Sequence, residues 1–374
     1  MNIAVNTRLL IEGKLEGIGW FTLETLKRIT NNHPEHQFIF IFDRPWNENY
    51  IFSENVTPVV VGPPTRHPFL WYVWFEYQIP RILKKYNADV FLSPDGYLSL
   101  STKVPQLAVI HDINFVHRPK DLPWLKAKYY NHYFKKFARV ARRIATVSYY
   151  SKEDITHSFK VADNKIDVVY NGVNPGFTPT SAENQKKTRE KYAGGHNYFL
   201  FVGALNPRKN IGGLLKAFDA FKSLDKKNIK LLIVGGQMHK TGEMHEIYKN
   251  MHFKNDVIFT GRISTPDLHA VLGAATALTF VPFFEGFGIP VVEAMSAGVP
   301  VICSNTTSLP EVGGEAVLYA DPVKTDQIAE AMLKISEDGE LRKSLIEKGF
   351  NQKKKFSWDE TARLLWMSVE RALP

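Results

Sequence analysis

The sequence predicts an α/β protein made of two Rossmann-like halves, each a parallel sheet covered by helices. Three observations predict it. The chain has 374 residues, more than one hydrophobic core usually organises. Short apolar runs that read as buried strands alternate with helical periodicity along its length, the pattern of βαβ units. That alternation breaks once, in a polar, Lys-rich stretch over 173–194 that reads as a linker, and then restarts. The expected domains are therefore 1–172 and 195–356.

Ile3-Ala4-Val5 is the first strand, and Glu16-Gly17-Ile18-Gly19-Trp20 the loop before a helix through Leu23, Leu26 and Ile29. The Gly pair does not meet the full dinucleotide fingerprint, which argues against a dehydrogenase. Phe38 to Phe42 and Val59 to Val61 are further strands. His67 to Tyr86 is dense in aromatic and then basic residues, with Pro80 expected to bend or divide any helix. Two readings stay open there: core packing, and a surface that rests on a membrane or holds a lipid-linked acceptor. Asp89 to Leu92 and Gln106 to Ile110 are buried strands, and the second delivers His111-Asp112 at its C-terminal end, where open α/β sheets bind ligands. His111 is a candidate catalytic residue with Asp112 setting its orientation; a structural His at a strand exit is the alternative. A basic helix over 123–143 and a strand at 144–148 follow, with Ser148 read as a helix cap.

Beyond the linker, Tyr198 to Val202 ends at Gly203 and leads into Asn206-Pro207-Arg208-Lys209-Asn210. Two adjacent cations before a helix N-terminus suit a diphosphate, Arg as a fork and Lys as a point charge, although a solvated surface pair would look the same. Lys230 to Gly236 and Val257 to Arg262 are strands that end in Gly. Ala277 to Val281 runs into Phe283-Phe284-Glu285-Gly286-Phe287-Gly288-Ile289-Pro290, then a helix that exits at Gly298. Glu285 falls in that loop and Glu293 on the expected first helical turn, so one carboxylate could accept hydrogen bonds from a sugar and the other from a second polyol such as ribose. Short strands at 299–302 and 316–319, two helices over 327–348 and a final helix over 358–373 complete the chain.

Composition is that of a globular protein: 44% hydrophobic and 23% charged residues. No apolar run reaches spanning length, and Met1 to Asn6 reads as a strand instead of a signal, so a soluble cytoplasmic protein is expected. The single Cys303 excludes an internal disulfide and a cysteine-based zinc site. A net charge of +9 is spread along the chain without a recognition motif, so no nucleic-acid partner is expected. Nucleotide diphosphates or anionic membranes would explain that charge equally well.

Gly17-Ile18-Gly19, His111-Asp112, Asn171-Gly172-Val173, Asn206 to Asn210, Gly261-Arg262, and Glu285 with Glu293 occur in an order and spacing that resembles retaining glycosyltransferases of the GT-B architecture, the family-4 group. The resemblance covers nearly the whole chain. It implies two facing Rossmann-like domains with a catalytic cleft between them, the last helix, 357–374, completing the N-terminal one. It implies a nucleotide-sugar donor bound by Gly17, Gly19, Gly203, Arg208, Lys209, Arg262, Glu285, Gly286, Phe287, Gly288 and Glu293, with His111, Arg208, Lys209 and Glu285 catalytic. The N-terminal pattern looks most like bacterial mannosyltransferases that use GDP-mannose to build surface polysaccharides, with a UDP-sugar as the other donor. A glycan or polyprenyl-linked acceptor, at the inner face of the cytoplasmic membrane, is the implied partner. There is no Asp-x-Asp motif, so neither a metal nor a tightly bound cofactor is expected. A sugar-nucleotide epimerase of similar fold, or a non-catalytic binding subunit, is the alternative.

Overall fold

The computed structural model describes residues 1–225, 227–236 and 242–373. Its chain forms two compact units: Met1–Gly172 with Ser357–Pro374, Pro374 itself lying outside the described residues, and Val173–Phe356.

The first unit holds seven strands, β1 (Asn2–Asn6), β2 (Gln37–Phe42), β3 (Val56–Val60), β4 (Val90–Ser93), β5 (Gln106–Val109), β6 (Arg143–Thr146) and β7 (Ile166–Val168). They pair in parallel in the order β3-β2-β1-β4-β5-β6-β7. Helices cover a parallel sheet, so its central strands are buried throughout and read as unbroken apolar runs. The order reverses direction between β1 and β4, and ligands collect at such a switch point.

Helix Gly17–Asn32 starts one residue after Glu16, whose extended backbone caps it, and Trp20 N–H donates to Glu16 O at 2.9 Å. Gly17 and Gly19 are therefore in the first helical turn, where a preceding loop was expected. The final helix, Trp358–Ala372, belongs to this unit and packs on Gly17–Asn32. Gly172 explains part of that docking, because a Cβ there would stand 2.3 Å from Trp358 N. Thr361 Oγ1 also donates to Tyr170 O at 2.7 Å.

The aromatic stretch is one continuous helical run. Pro68–Val73 is α-helical, Trp74–Gln78 makes a π turn and Ile79–Lys85 resumes the α-helix. The π turn, with Ile79 N–H bonded to Trp74 O, shifts the hydrogen-bond ladder just before Pro80, whose ring then sits in a first turn. One face carries buried Trp71, Trp74, Phe75 and Ile79; the opposite face exposes Phe69, Tyr72 and Tyr77.

The second unit holds β8 (Tyr198–Val202), β9 (Lys230–Val234), β10 (Val257–Gly261), β11 (Ala277–Phe280), β12 (Val301–Ser304) and β13 (Leu318–Ala320), parallel in the order β10-β9-β8-β11-β12-β13. This is the doubly wound order of a dinucleotide-binding sheet, with its switch point between β8 and β11. The stretch read as a linker carries a helix, Ala182–Ala193. Ser181 accepts from Asn184 N–H at its start, Gly194 ends it at φ +58°, and Arg189 reaches Ala274 O at 3.1 Å. Caps and a Glu183–Lys187 pair hold it. It has no broad apolar stripe, so periodicity could not reveal it. No helix among the described residues is long and apolar enough to cross a membrane.

Candidate active site

Backbone contacts knit the strand ends of the second unit together. Gly203 N–H donates to Val234 O, Leu205 N–H to Gly236 O, and Gly235 N–H to Gly261 O, each within 3.0 Å. Gly235 lies at φ +151°, and a Cβ there would be 1.9 Å from Gly203 O, so only glycine allows β8 and β9 to exit this closely. Arg262, at the end of β10, lies along Gly236.

Pro207–Lys209 forms a single 3-10 turn after β8. Asn210 follows with φ +57° and is buried, its amide donating to Val281 O at 3.0 Å and Pro322 O at 2.7 Å. That anchor fixes the turn against the strand on the far side of the switch point. Phe283 N–H donates to Arg208 O at 2.9 Å, joining the two loops directly. Arg208 Nη1 lies 2.7 Å from Phe284 O and 3.0 Å from Glu285 Oε1, and Lys209 Nζ bonds the same carboxylate oxygen. Lys209 also stands 4.8 Å above the Phe280 ring.

Two cations and one carboxylate thus converge at the switch point with a net charge of +1. Burial alone would raise the Glu285 pKa, but the Arg208 and Lys209 charges outweigh it and the net shift is downward, so the carboxylate is ionised near neutrality. Glu285 is further held by its backbone: its N–H donates to Thr307 Oγ1 at 3.2 Å, and its carbonyl accepts from Ser308 Oγ at 2.9 Å. Phe287 turns its ring inward onto Phe356, and its carbonyl accepts from Ser308 Oγ at 3.2 Å. Gly288, at φ +102°, starts helix Ile289–Ser296; a Cβ there would come within 2.5 Å of Leu309 Cδ2.

Glu293 lies in the second turn of that helix, one turn later than expected, because Gly288 is the cap and Ile289 the first helical residue. Its carboxyl is partly buried, with no hydrogen-bond or ion-pair partner among the described residues, and burial pushes its pKa up to about 8. It is a carboxyl that a pair of ligand hydroxyls could satisfy.

In the first unit His111 leaves β5 with its ring edge-on to Phe21 at 4.9 Å. Nε2 lies 2.8 Å from Pro94 O, and a carbonyl only accepts, so Nε2 carries the proton. Nδ1 is then an acceptor with no partner among the described residues. Burial lowers the pKa despite the Pro94 bond and nearby Asp112 and Asp95. Asp112 does not orient the ring as expected; its Oδ1 accepts from Asn114 N–H at 2.9 Å and from the Asn114 amide, closing the next turn. Ser148 caps helix Tyr149–Phe159, accepting from Ser151 N–H at 3.1 Å.

Sequence reading missed a polar cluster at the β1/β4 switch point. Arg8 Nε bonds Asp95 Oδ2 at 2.6 Å and Arg8 Nη1 bonds Thr65 Oγ1 at 3.1 Å, while Asn6 donates to Ser93 Oγ and Asp95 Oδ1. The guanidinium also lies 4.2 Å from the Tyr97 centroid. The signal was Asn6-Thr7-Arg8 just past the first strand, which gains meaning only once β4 is known to lie beside β1.

Two sequence families match the chain. The one described as Glycosyl transferases group 1 matches residues 182–352, and Glycosyltransferase Family 4 matches residues 16–177. The O-antigen chain mannosyltransferase RfbU of Salmonella typhimurium is 30% identical over 256 residues, 68% of this chain and 67% of that protein. The chain belongs to the family-4 glycosyltransferases. This glycosyltransferase is also 29% identical over 360 residues to the O-antigen chain mannosyltransferase B of Escherichia coli, covering 93% of this chain and 94% of that one. Among solved structures, Anabaena HepE in complex with UDP-glucose superposes with a TM-score of 0.77 at 16% identity, over 99% of both chains, which shows a shared GT-B fold. With transferase activity belonging to the family, the epimerase and non-catalytic readings fall away.

Proposed function

We propose that the enzyme moves a mannosyl group from GDP-mannose, with retention of configuration, to a glycan or polyprenyl-linked acceptor during surface-polysaccharide synthesis. The observation that carries this reading is the convergence of Arg208, Lys209 and Glu285 at the β8/β11 switch point. The two mannosyltransferase relatives support the choice of sugar.

Arg208 and Lys209 hold the donor diphosphate and stabilise the charge that develops as the bond from sugar C1 to phosphate oxygen breaks. Glu285 accepts hydrogen bonds from hydroxyls of the transferred sugar, the backbone from Gly286 to Gly288 lies against that sugar, and Glu293 takes the ribose hydroxyls. His111 Nδ1, an acceptor at neutral pH, accepts a hydrogen bond from a hydroxyl of the sugar or of the incoming acceptor. The acceptor oxygen bonds to C1 on the face the diphosphate leaves, and its proton passes to the departing phosphate oxygen. No step requires a protein nucleophile or a divalent cation.

The exposed face of 68–85 supports work at the cytoplasmic membrane surface. Phe69, Tyr72 and Tyr77 stand outward, followed by exposed Arg81, Lys84 and Lys85, and helix Trp124–Val140 adds exposed Trp124, Leu125, Lys128 and Lys136. Apolar rings beside cations suit the boundary of an anionic bilayer.

A thermal-shift panel of GDP-, UDP-, ADP- and TDP-sugars tests the reading. GDP-mannose should give the largest rise in Tm, and a shift by UDP-glucose alone would overturn the choice of donor.

A further inference from the structure

We infer that His33, Glu35 and His36 form a zinc site in the first unit, separate from the donor-binding residues. The three sit in one turn, His33-Pro34-Glu35-His36, between the end of helix Gly17–Asn32 and the start of β2. Glu35 Oε1 is 3.6 Å from His33 Nδ1 and 3.3 Å from His36 Nε2, and one ligand atom from each residue lies within 4.8 Å of the others. Ligands about 2.0–2.1 Å from a tetrahedral ion stand about 3.3 Å from one another, so two of the three edges already match that geometry. Two imidazoles and one carboxylate are a donor set that zinc favours, with water in the fourth position.

The turn is held in shape from beneath. Buried Asn55 points its side-chain amide at the carbonyls of Thr30, His33 and His36, at 3.2, 3.0 and 3.0 Å. His33 stacks on Trp366 of the final helix at 3.8 Å, and His36 lies 5.2 Å from the same ring. The other nitrogen of His36, Nδ1, lies 3.4 Å from the Met1 amino group, so Nε2 is the nitrogen on the Glu35 side. Each ring therefore holds a nitrogen within 3.6 Å of the carboxylate before any ion arrives. Glu35 itself is 58% exposed, so an ion can enter from solvent. Bound zinc would fix the turn in the shape that packs on Trp366.

The test uses untagged full-length protein stripped with EDTA. Titration with cobalt(II) should give visible d–d absorption of a four-coordinate ion at one equivalent, and zinc should displace it and raise Tm. Glu35→Ala removes an exposed side chain and should keep the fold while weakening zinc at least about 10-fold, and His33→Asn/His36→Asn should abolish the signal. No saturable one-equivalent binding at micromolar metal, or binding unchanged in Glu35→Ala and the double variant, would overturn the assignment.

Discussion

Glu293 gives a prediction whose size follows from its surroundings. Its carboxyl has an ordinary pKa of 4.5 and is pushed up to about 8 in the folded chain by burial. A carboxyl whose folded pKa is raised contributes stability in full below the unfolded value, and that contribution is lost as pH climbs towards the folded value. The window of loss is therefore pH 4.5 to about 8. Between pH 6 and 8 the chain crosses about two pKa units of it, and at about 1.4 kcal/mol per unit the loss is at most about 3 kcal/mol. Glu293→Gln keeps the shape and cannot ionise. Urea unfolding of both proteins without nucleotide at pH 6 and pH 9 should show the wild type losing about 2–3 kcal/mol more than the variant. Other titrating groups cancel in that difference. Parallel pH profiles would refute the assignment of an unpartnered, desolvated carboxyl at this position.

Ligand hydroxyls that donate to Glu293 would favour its ionised form, so GDP should bind more tightly as pH rises from 6 to 8, and Glu293→Gln should flatten that dependence in calorimetry. Gly235→Ala should destabilise the fold by about 2 kcal/mol or more in urea unfolding, because the added methyl meets a backbone oxygen that no rotamer change can move. Glu285→Gln should lower the turnover of mannose transfer more than it weakens GDP binding; the reverse would assign this carboxylate to the nucleotide.

Much of the fold was legible because parallel strands buried on both faces appear as unbroken apolar runs, such as Phe38 to Phe42 and Leu231 to Val234. Arg208, Lys209 and Glu285 could be picked out singly, since each follows such a run. Their convergence could not, because strand order is a property of pairing: β8 and β11 are neighbours although β9 and β10 intervene in sequence. The same non-local adjacency hid the Arg8–Asp95 cluster. The helix over Ala182–Ala193 was lost in a polar stretch because caps and charge pairs hold it. The partner of His111 was misassigned to the adjacent Asp112, whereas the Pro94 carbonyl comes from the neighbouring strand's exit. The His33-Pro34-Glu35-His36 turn passed unnoticed because its donors converge only when the turn closes over Asn55.

The central claim is that the cation pair at the β8/β11 switch point holds the donor diphosphate and carries its leaving-group charge. Lys209→Ala tests it most directly, measured as mannose transfer from GDP-mannose beside circular dichroism of the same sample. The account predicts an unchanged spectrum and transfer reduced at least about 100-fold. Wild-type turnover in a folded Lys209→Ala protein would contradict it.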